Sequence, residues 1–288
     1  MFKEKSTPLL FLAPAIVLLV IFKLFPIGVA LWESFRFTPI SQESIFVGLE
    51  NYEFLFRDDP VFWNSLLVTL KYNLIINPLN VVVALALALL LNRSRPYVPF
   101  FRSLYFLPSA ISYTVVAVVW GVMLDPYYGL VNSLLAKLGF SAQPFFSSPS
   151  QSLGSLVFVG LWRSVGYWMM FYLAGLQNIP KTVYEAADID GASKWQQIWK
   201  ITLPLLSRTT AFVLVSSISF NFLTFAPVFI LTKGGPRGAT NVLMYESYKS
   251  AFVNIDMGRA TAISSILLVI IIAISFISLR LNKAEYEY

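Results

Sequence analysis

The chain has 288 residues, of which 57% are hydrophobic, 16% aromatic and 12% charged, against about 25% charged in an ordinary soluble domain. A water-facing fold of this length has no use for so much apolar surface, so a membrane protein is the expected class. Cysteine and histidine are absent and the net charge of +6 comes from dispersed Lys and Arg, which excludes disulfides, thiolate metal sites, histidine bases and a nucleic-acid-binding cluster.

Six stretches are long and apolar enough to cross a hydrocarbon core, which takes about 20 helical residues. They fall near 9–32, 64–91, 101–124, 153–177, 205–231 and 260–281. The predicted fold is all-α, one polytopic domain over 1–288. Spans two and five exceed the minimum, so tilt or breaks at Pro78 and Pro227 are expected. Gly28-Val29-Ala30 offers a small-residue cleavage site, but the apolar run before it is longer than a signal sequence needs, so span one is read as retained. The longest connections, 33–63, 125–152 and 232–259, carry no soluble domain, and 145–152 reads as an irregular loop.

Orientation follows the Lys/Arg bias. If odd spans run outward, eleven basic residues lie inside: Lys3, Lys5, Arg93, Arg95, Arg102, Lys181, Lys194, Lys200, Arg208, Arg280 and Lys283. Seven then lie outside, with nine acids against six inside. Both termini are expected in the cytoplasm of a prokaryote, the chain crossing its inner (plasma) membrane repeatedly.

The spans contain no Asp or Glu. Ion-coupled carriers usually keep a carboxylate there, so a secondary carrier or channel is the weaker alternative. A membrane-embedded transferase, which needs clustered acids or metal ligands, is weaker still. Of three cations within spans, Lys23 and Lys71 sit near enough to the ends to snorkel. Arg163 lies about ten residues into span four; structural pairing is favoured over contact with an anionic solute group. Lys233-Gly-Gly-Pro-Arg-Gly238 lacks the ending of a phosphate-binding loop and reads as a turn. The chain therefore offers a path without an energy source, a cofactor or a metal, and is not expected to be an enzyme.

Between spans four and five lies a polar stretch, 180–204. Thr182-x-x-Glu185 after Pro180 fits a capping box, and Ser193-x-x-Gln196 fits a second. Gly191 suits the left-handed end of a first helix. Trp195, Ile198 and Trp199 share a face of a second helix, which by itself also suits an interfacial anchor. Glu185-Ala186-Ala187, Gly191 and Ile201-x-Leu203-Pro204 reproduce the spacing of the EAA loop in permease subunits of binding-protein-dependent ABC importers, and the stretch resembles that loop. The resemblance implies docking on a cytoplasmic ATPase through Glu185, Ala186, Ala187, Asp190, Gly191, Ala192 and Trp195.

The resemblance covers nearly the whole chain. Phe46-Val47-Gly48-Leu49-Glu50-Asn51-Tyr52, Gly175-Leu176-Gln177-x-Ile179-Pro180 and Leu231-Thr232-x-Gly234-Gly235-Pro236 are similar to segments of the carbohydrate-uptake branch, in particular the first of two unlike permeases of glycerol-phosphate, trehalose and maltose importers. In span five Ser217, Asn221 and Thr224 recur at i, i+4, i+7 on one helical face, a pattern that hydrogen bonding between helices also explains. The resemblance assigns Ser217 and Asn221, with Gly160, Ser164 and Tyr167 in span four, to a sugar path; Thr224 and Arg163 depart from the family pattern. It further implies a second permease of similar fold, two cytoplasmic ATPase subunits, an extracytoplasmic solute-binding protein and a sugar-like solute, moved by alternating access through the lipid membrane.

Overall fold

The computed structural model describes residues 3–37 and 44–281, with side chains from 11 to 276. The side chains of Lys3, Lys5, Arg280 and Lys283, which enter the orientation argument, lie outside the described residues. Four helices are long and apolar enough to span: α1 (Phe11–Glu33), α3 (Pro60–Leu91), α7 (Ser152–Gln177) and, over Met257–Phe276, α12 (Met257–Leu281). Counting each of two bent pairs as one span brings the number to the expected six. The first joins α4 (Val98–Ala110) to α5 (Tyr113–Met123) at 99°, the second α9 (Lys194–Leu205) to α10 (Ser207–Phe222) at 65°. The shorter helices are α2 (Glu50–Arg57), α6 (Leu130–Lys137), α8 (Lys181–Ile189) and α11 (Leu243–Phe252), so all three long connections hold helical structure.

Proline acts differently at each site. The helix runs through Pro78 unbroken, since a membrane helix tolerates one lost bond where the alternative is more exposed backbone. Ahead of Pro26 and Pro204 lie π turns, Val20–Leu24 and Ile198–Thr202, whose wider winding accommodates the ring and the missing N–H. Span five, expected unbroken to about 231 apart from a Pro227 break, stops at Phe222; Leu223, Thr224 and Phe225 are non-helical before Pro227 precedes a further π turn, Val228–Thr232. Span three, expected continuous, is interrupted at Ile111 and Ser112, whose ψ values of 142 and 136 are extended. There Pro108 lies in the last turn of α4 and Ser109 Oγ donates to the Phe106 carbonyl at 2.7 Å, a local bond that competes with the helix ladder.

Contacts divide the chain into two compact units, 1–63 with 246–269, and 64–245 with 270–288. In the first, β1 (Arg36–Phe37) and β2 (Ile45–Phe46) pair antiparallel. Asn51 Nδ2 donates to the Ser34 and Arg36 carbonyls at 2.8 and 2.9 Å, and the Tyr52 hydroxyl meets Ser34 Oγ at 2.7 Å. The segment from Phe46 to Tyr52 thus works as a clip, with Gly48 at φ +60 making its turn. Buried Asp59 accepts from Arg259 at 2.6 Å, whose guanidinium lies 4.2 Å from the Phe54 ring centre.

In the second unit α7 is the central helix. Ala84 and Ala88 of α3 and Leu206 and Val213 beside and on α10 pack with its Trp168, Met169, Tyr172 and Leu173. The tightest crossing is with α4, where Gly166 meets the backbone of Tyr105. A Cβ at Gly166 would stand 1.8 Å from the Tyr105 carbonyl oxygen. Gly166→Ala is therefore expected to force the helices apart and cost roughly 1–3 kcal/mol. Thermal unfolding in detergent should shift down for this variant, while Gly154→Ala, whose Cβ meets nothing within 4 Å, should leave it unchanged.

Candidate functional site

The interruptions at Ile111–Ser112 and Leu223–Phe225 both border one cavity of about 560 Å³. Of the six residues expected along a solute path, Gly160, Ser164 and Tyr167 of α7 line it, as do Asn221 at the end of α10 and Thr224 beyond it. Ser217 does not: it is fully buried, and its hydroxyl donates to Asn77 Oδ1 at 3.0 Å and to the Leu214 carbonyl at 3.1 Å. Nor does Thr224 continue the helical face of Ser217 and Asn221, because α10 ends at Phe222; the i+7 reading assumed a helix that the chain does not make there. Gly160 holds its place by size. A Cβ there would fall 2.6 Å from the Tyr72 hydroxyl and 3.1 Å from that of Tyr113.

The sequence reading missed a polar seam on α3. Asn73, Asn77 and Asn80 are buried, and their i, i+4, i+7 spacing is the same signal that was read in span five. Asn77 is the hub: Oδ1 accepts from Asn221 Nδ2 at 2.7 Å as well as from Ser217, and Nδ2 donates to Asn73 Oδ1 at 3.0 Å. Asn80 Oδ1 accepts from Ser164 Oγ at 2.8 Å. The expected hydrogen bonding between helices and the cavity lining are thus two sides of the same residues. Asn77→Leu strips partners from Asn73 and Asn221 together and should destabilise by about 1–3 kcal/mol. Ser217→Ala should cost less, because only one hydroxyl is lost; the ordering of the two thermal midpoints checks this.

Ser109, Tyr113, Trp168, Phe220 and Arg163 complete the features of the lining that matter chemically. Aromatic rings form one wall, with Trp168 4.9 Å from Tyr167 and 6.2 Å from Phe220 by ring centres. Arg163 is half-buried, its guanidinium 4.6 Å from the Tyr113 ring centre, and no protein atom accepts from its Nε. A cation at the centre of a span costs about 2.5–3.5 kcal/mol by insertion scales. Lys23 and Lys71 are exposed. Among the described residues no three His, Cys, Asp or Glu side chains converge as a metal site would require.

The second feature is the bent loop. Gly191 takes φ +73 and the Ala192 and Gly191 amides return to the Ala187 and Asp188 carbonyls at 2.9 and 3.2 Å, the paired closure of a Schellman end. Ser193 and Gln196 form the expected capping box. Thr182 and Glu185 do not form theirs: Pro180 is already the N-cap residue, which places Thr182 inside α8. Lys194 and buried Gln197 both donate to Asp188, the lysine at 2.7 Å, clasping the two helices across the bend. These hydrogen bonds, that from Lys194 foremost, hold the Asp188 carboxyl below its ordinary value, so the clasp persists at neutral pH and is lost only as pH falls through that lowered value.

Glu185, Ala186, Asp190, Gly191 and Trp195 are exposed, Ala192 is half-buried and Ala187 is buried. Trp195 and Trp199 pack edge to face at 5.7 Å yet stay 67% and 56% exposed, an apolar surface left uncovered by this chain. A left-handed residue favours Gly and tolerates Asn. Gly191→Val should therefore unseat the bend without blocking membrane insertion, whereas Gly191→Asn should largely keep it; limited proteolysis of the loop at matched expression levels checks the order.

A multi-span helical chain with a largely aromatic cavity carrying a few polar groups at two broken spans, and with an amphipathic bent loop, has the make-up of a membrane transport component. The family model of the "binding-protein-dependent transport system inner membrane component" matches residues 80–284. The chain is 38% identical to the probable ABC transporter permease protein YurN of Bacillus subtilis (strain 168), over 99% of both chains. It is 35% identical to the sn-glycerol-3-phosphate transport system permease protein UgpA of Agrobacterium fabrum, over 100% of this chain and 98% of that one. A crystal structure of a bacterial ABC transporter involved in import of the acidic polysaccharide alginate superposes with a TM-score of 0.80 at 25% identity, covering 96% of each chain. The chain belongs to the family of binding-protein-dependent transport system inner membrane components: it is the multi-pass permease part of an ABC importer, a transport subunit and not an enzyme.

Proposed function

We propose that the chain, acting as one transmembrane domain over 1–288, forms half of the translocation path of an importer for a sugar or a related polyol or glycerol-phosphate solute. The observation that carries this reading is the cavity, where hydroxyl and amide groups (Ser164, Asn221, Thr224) face the same space as Tyr167, Trp168 and Phe220. Polar groups of that kind meet sugar hydroxyls, and rings meet the C–H faces of the same molecule. Relatives support the solute class: one is named for sn-glycerol-3-phosphate and one solved structure for alginate import.

In this reading both termini and the bent loop face the cytoplasm. Two ATPase subunits grip the loop through Glu185, Ala186, Ala187, Asp190, Gly191, Ala192 and Trp195. A second permease of similar fold supplies the other half of the path, and a solute-binding protein delivers cargo outside. Closure of the ATPases turns the cavity outward; their opening turns it inward.

The test is reconstitution of the complex with its binding protein in proteoliposomes, with uptake and ATPase activity followed across a panel of sugars, polyols and glycerol phosphate. One member should stimulate hydrolysis and enter only with ATP. Asn221→Ala should reduce uptake about tenfold, the equivalent of ~1.4 kcal/mol, with the complex still assembled. Uptake that proceeds without nucleotide, or that ignores Asn221, would overturn this reading.

A further inference from the structure

The cavity contains an uncompensated charge. Its lining includes Arg163 and no Asp or Glu, and α3, α4, α5, α7 and α10 contain no carboxylate. Unlike Lys23 and Lys71, Arg163 is not fully exposed to its surroundings. Its guanidinium lies over the face of the Tyr113 ring, a quadrupole that steadies a cation without neutralising it.

Two hydrogen-bond donors in the same region have no partner. Arg163 Nε is screened from solvent and has no acceptor, and so is Nδ2 of Asn80, the fully buried residue that accepts from Ser164. Asn77 Oδ1 already takes two donors and Asn80 Oδ1 takes one. A neutral sugar can accept from these donors through its hydroxyl and ring oxygens, but it brings no charge to offset the guanidinium. A carboxylate or phosphate brings acceptors alone together with the missing charge, and the planar guanidinium fork matches either group in two bonds.

We propose that the solute carried through this cavity bears an anionic group, carboxylate or phosphate, and that Arg163 binds it and so selects acidic or phosphorylated sugar-like solutes over their neutral counterparts. This rests on the permease reading above. It gives Arg163 the solute-contacting role that the sequence reading placed second to structural pairing.

The test uses the assembled complex. Because the chain has no cysteine, Thr224→Cys places a single thiol of this chain in the cavity lining. Its rates of reaction with a sulfonate-bearing and a trimethylammonium-bearing methanethiosulfonate are compared by the mass of this chain and normalised to a free thiol in solution. An unneutralised guanidinium should favour the anionic reagent by about tenfold. The preference should survive Arg163→Lys and vanish in Arg163→Gln. In parallel, ATP-driven uptake is measured for the pairs glycerol 3-phosphate and glycerol, and glucuronate and glucose, which separates phosphate from carboxylate. The acidic member should be preferred, with Arg163→Gln raising its KM about tenfold or more.

Equal normalised rates with the two reagents, as when an acid of the second permease neutralises Arg163, would overturn the proposal. So would a preference untouched by Arg163→Gln, or a neutral solute carried as well as its acidic partner. Solute movement that needs no ATP would instead sink the permease reading, whatever the thiol reports.

Discussion

Inside a hydrocarbon layer a peptide group that loses its helical partner has no water to replace it, and this limits where a spanning chain can stop being helical. Here the second unit interrupts its spans at Ile111–Ser112 and at Leu223–Phe225, and the cavity lies beside both, lined by Ser109 and Tyr113 at one and by Leu223, Thr224 and Phe225 at the other. These two stretches of irregular backbone lie beside a space lined by protein, with Ser109, Asn221 and Thr224 among its polar groups. The same interruptions turn side chains toward that space which a straight helix would spread around its circumference.

The walls of the cavity are held by what lies behind them. Asn77 and Asn80 on α3 tie down Ser217, Asn221 and Ser164, so α7 and α10 are set against one common reference helix. Close approach depends on small residues: Gly166 lets α4 meet α7 at backbone distance, and Gly160 leaves room for the hydroxyls of Tyr72 and Tyr113. In a bundle with no hydrophobic drive between helices, such close packing and amide bonds are the available sources of specificity. Arg163 is the exception within this arrangement, a charge that the chain itself does not balance.

The bent loop follows different rules because it is wet. Its shape rests on local chemistry: a left-handed Gly191, a capping box at Ser193 and the clasp of Lys194 and Gln197 on Asp188. Very little of it needs distant contacts; the bond between the Tyr184 and Thr202 hydroxyls at 3.0 Å still joins residues of the same short segment. The elbow leaves Trp195 and Trp199 exposed and leads directly into α10, which begins two residues after α9 ends.

Much of this was legible without coordinates. Span number and class follow from hydropathy, since bilayer thickness imposes a length on each apolar run. The elbow followed from Gly191 and Ser193-x-x-Gln196, because caps and left-handed turns are encoded within a few residues. Thr182 was misjudged because Pro180 had already taken the cap, and Thr224 because periodicity assumes a helix that continues. Where a span breaks, which prolines matter, and which of Ser217, Asn221 and Arg163 faces a cavity were decided only by tertiary structure. Pro78 and Pro227 present the same ring and the same missing N–H, yet α3 continues through one and the chain breaks before the other. Sequence marks a residue as polar and places it along its own helix; whether that side chain meets Asn77 or open space depends on a helix more than a hundred residues away.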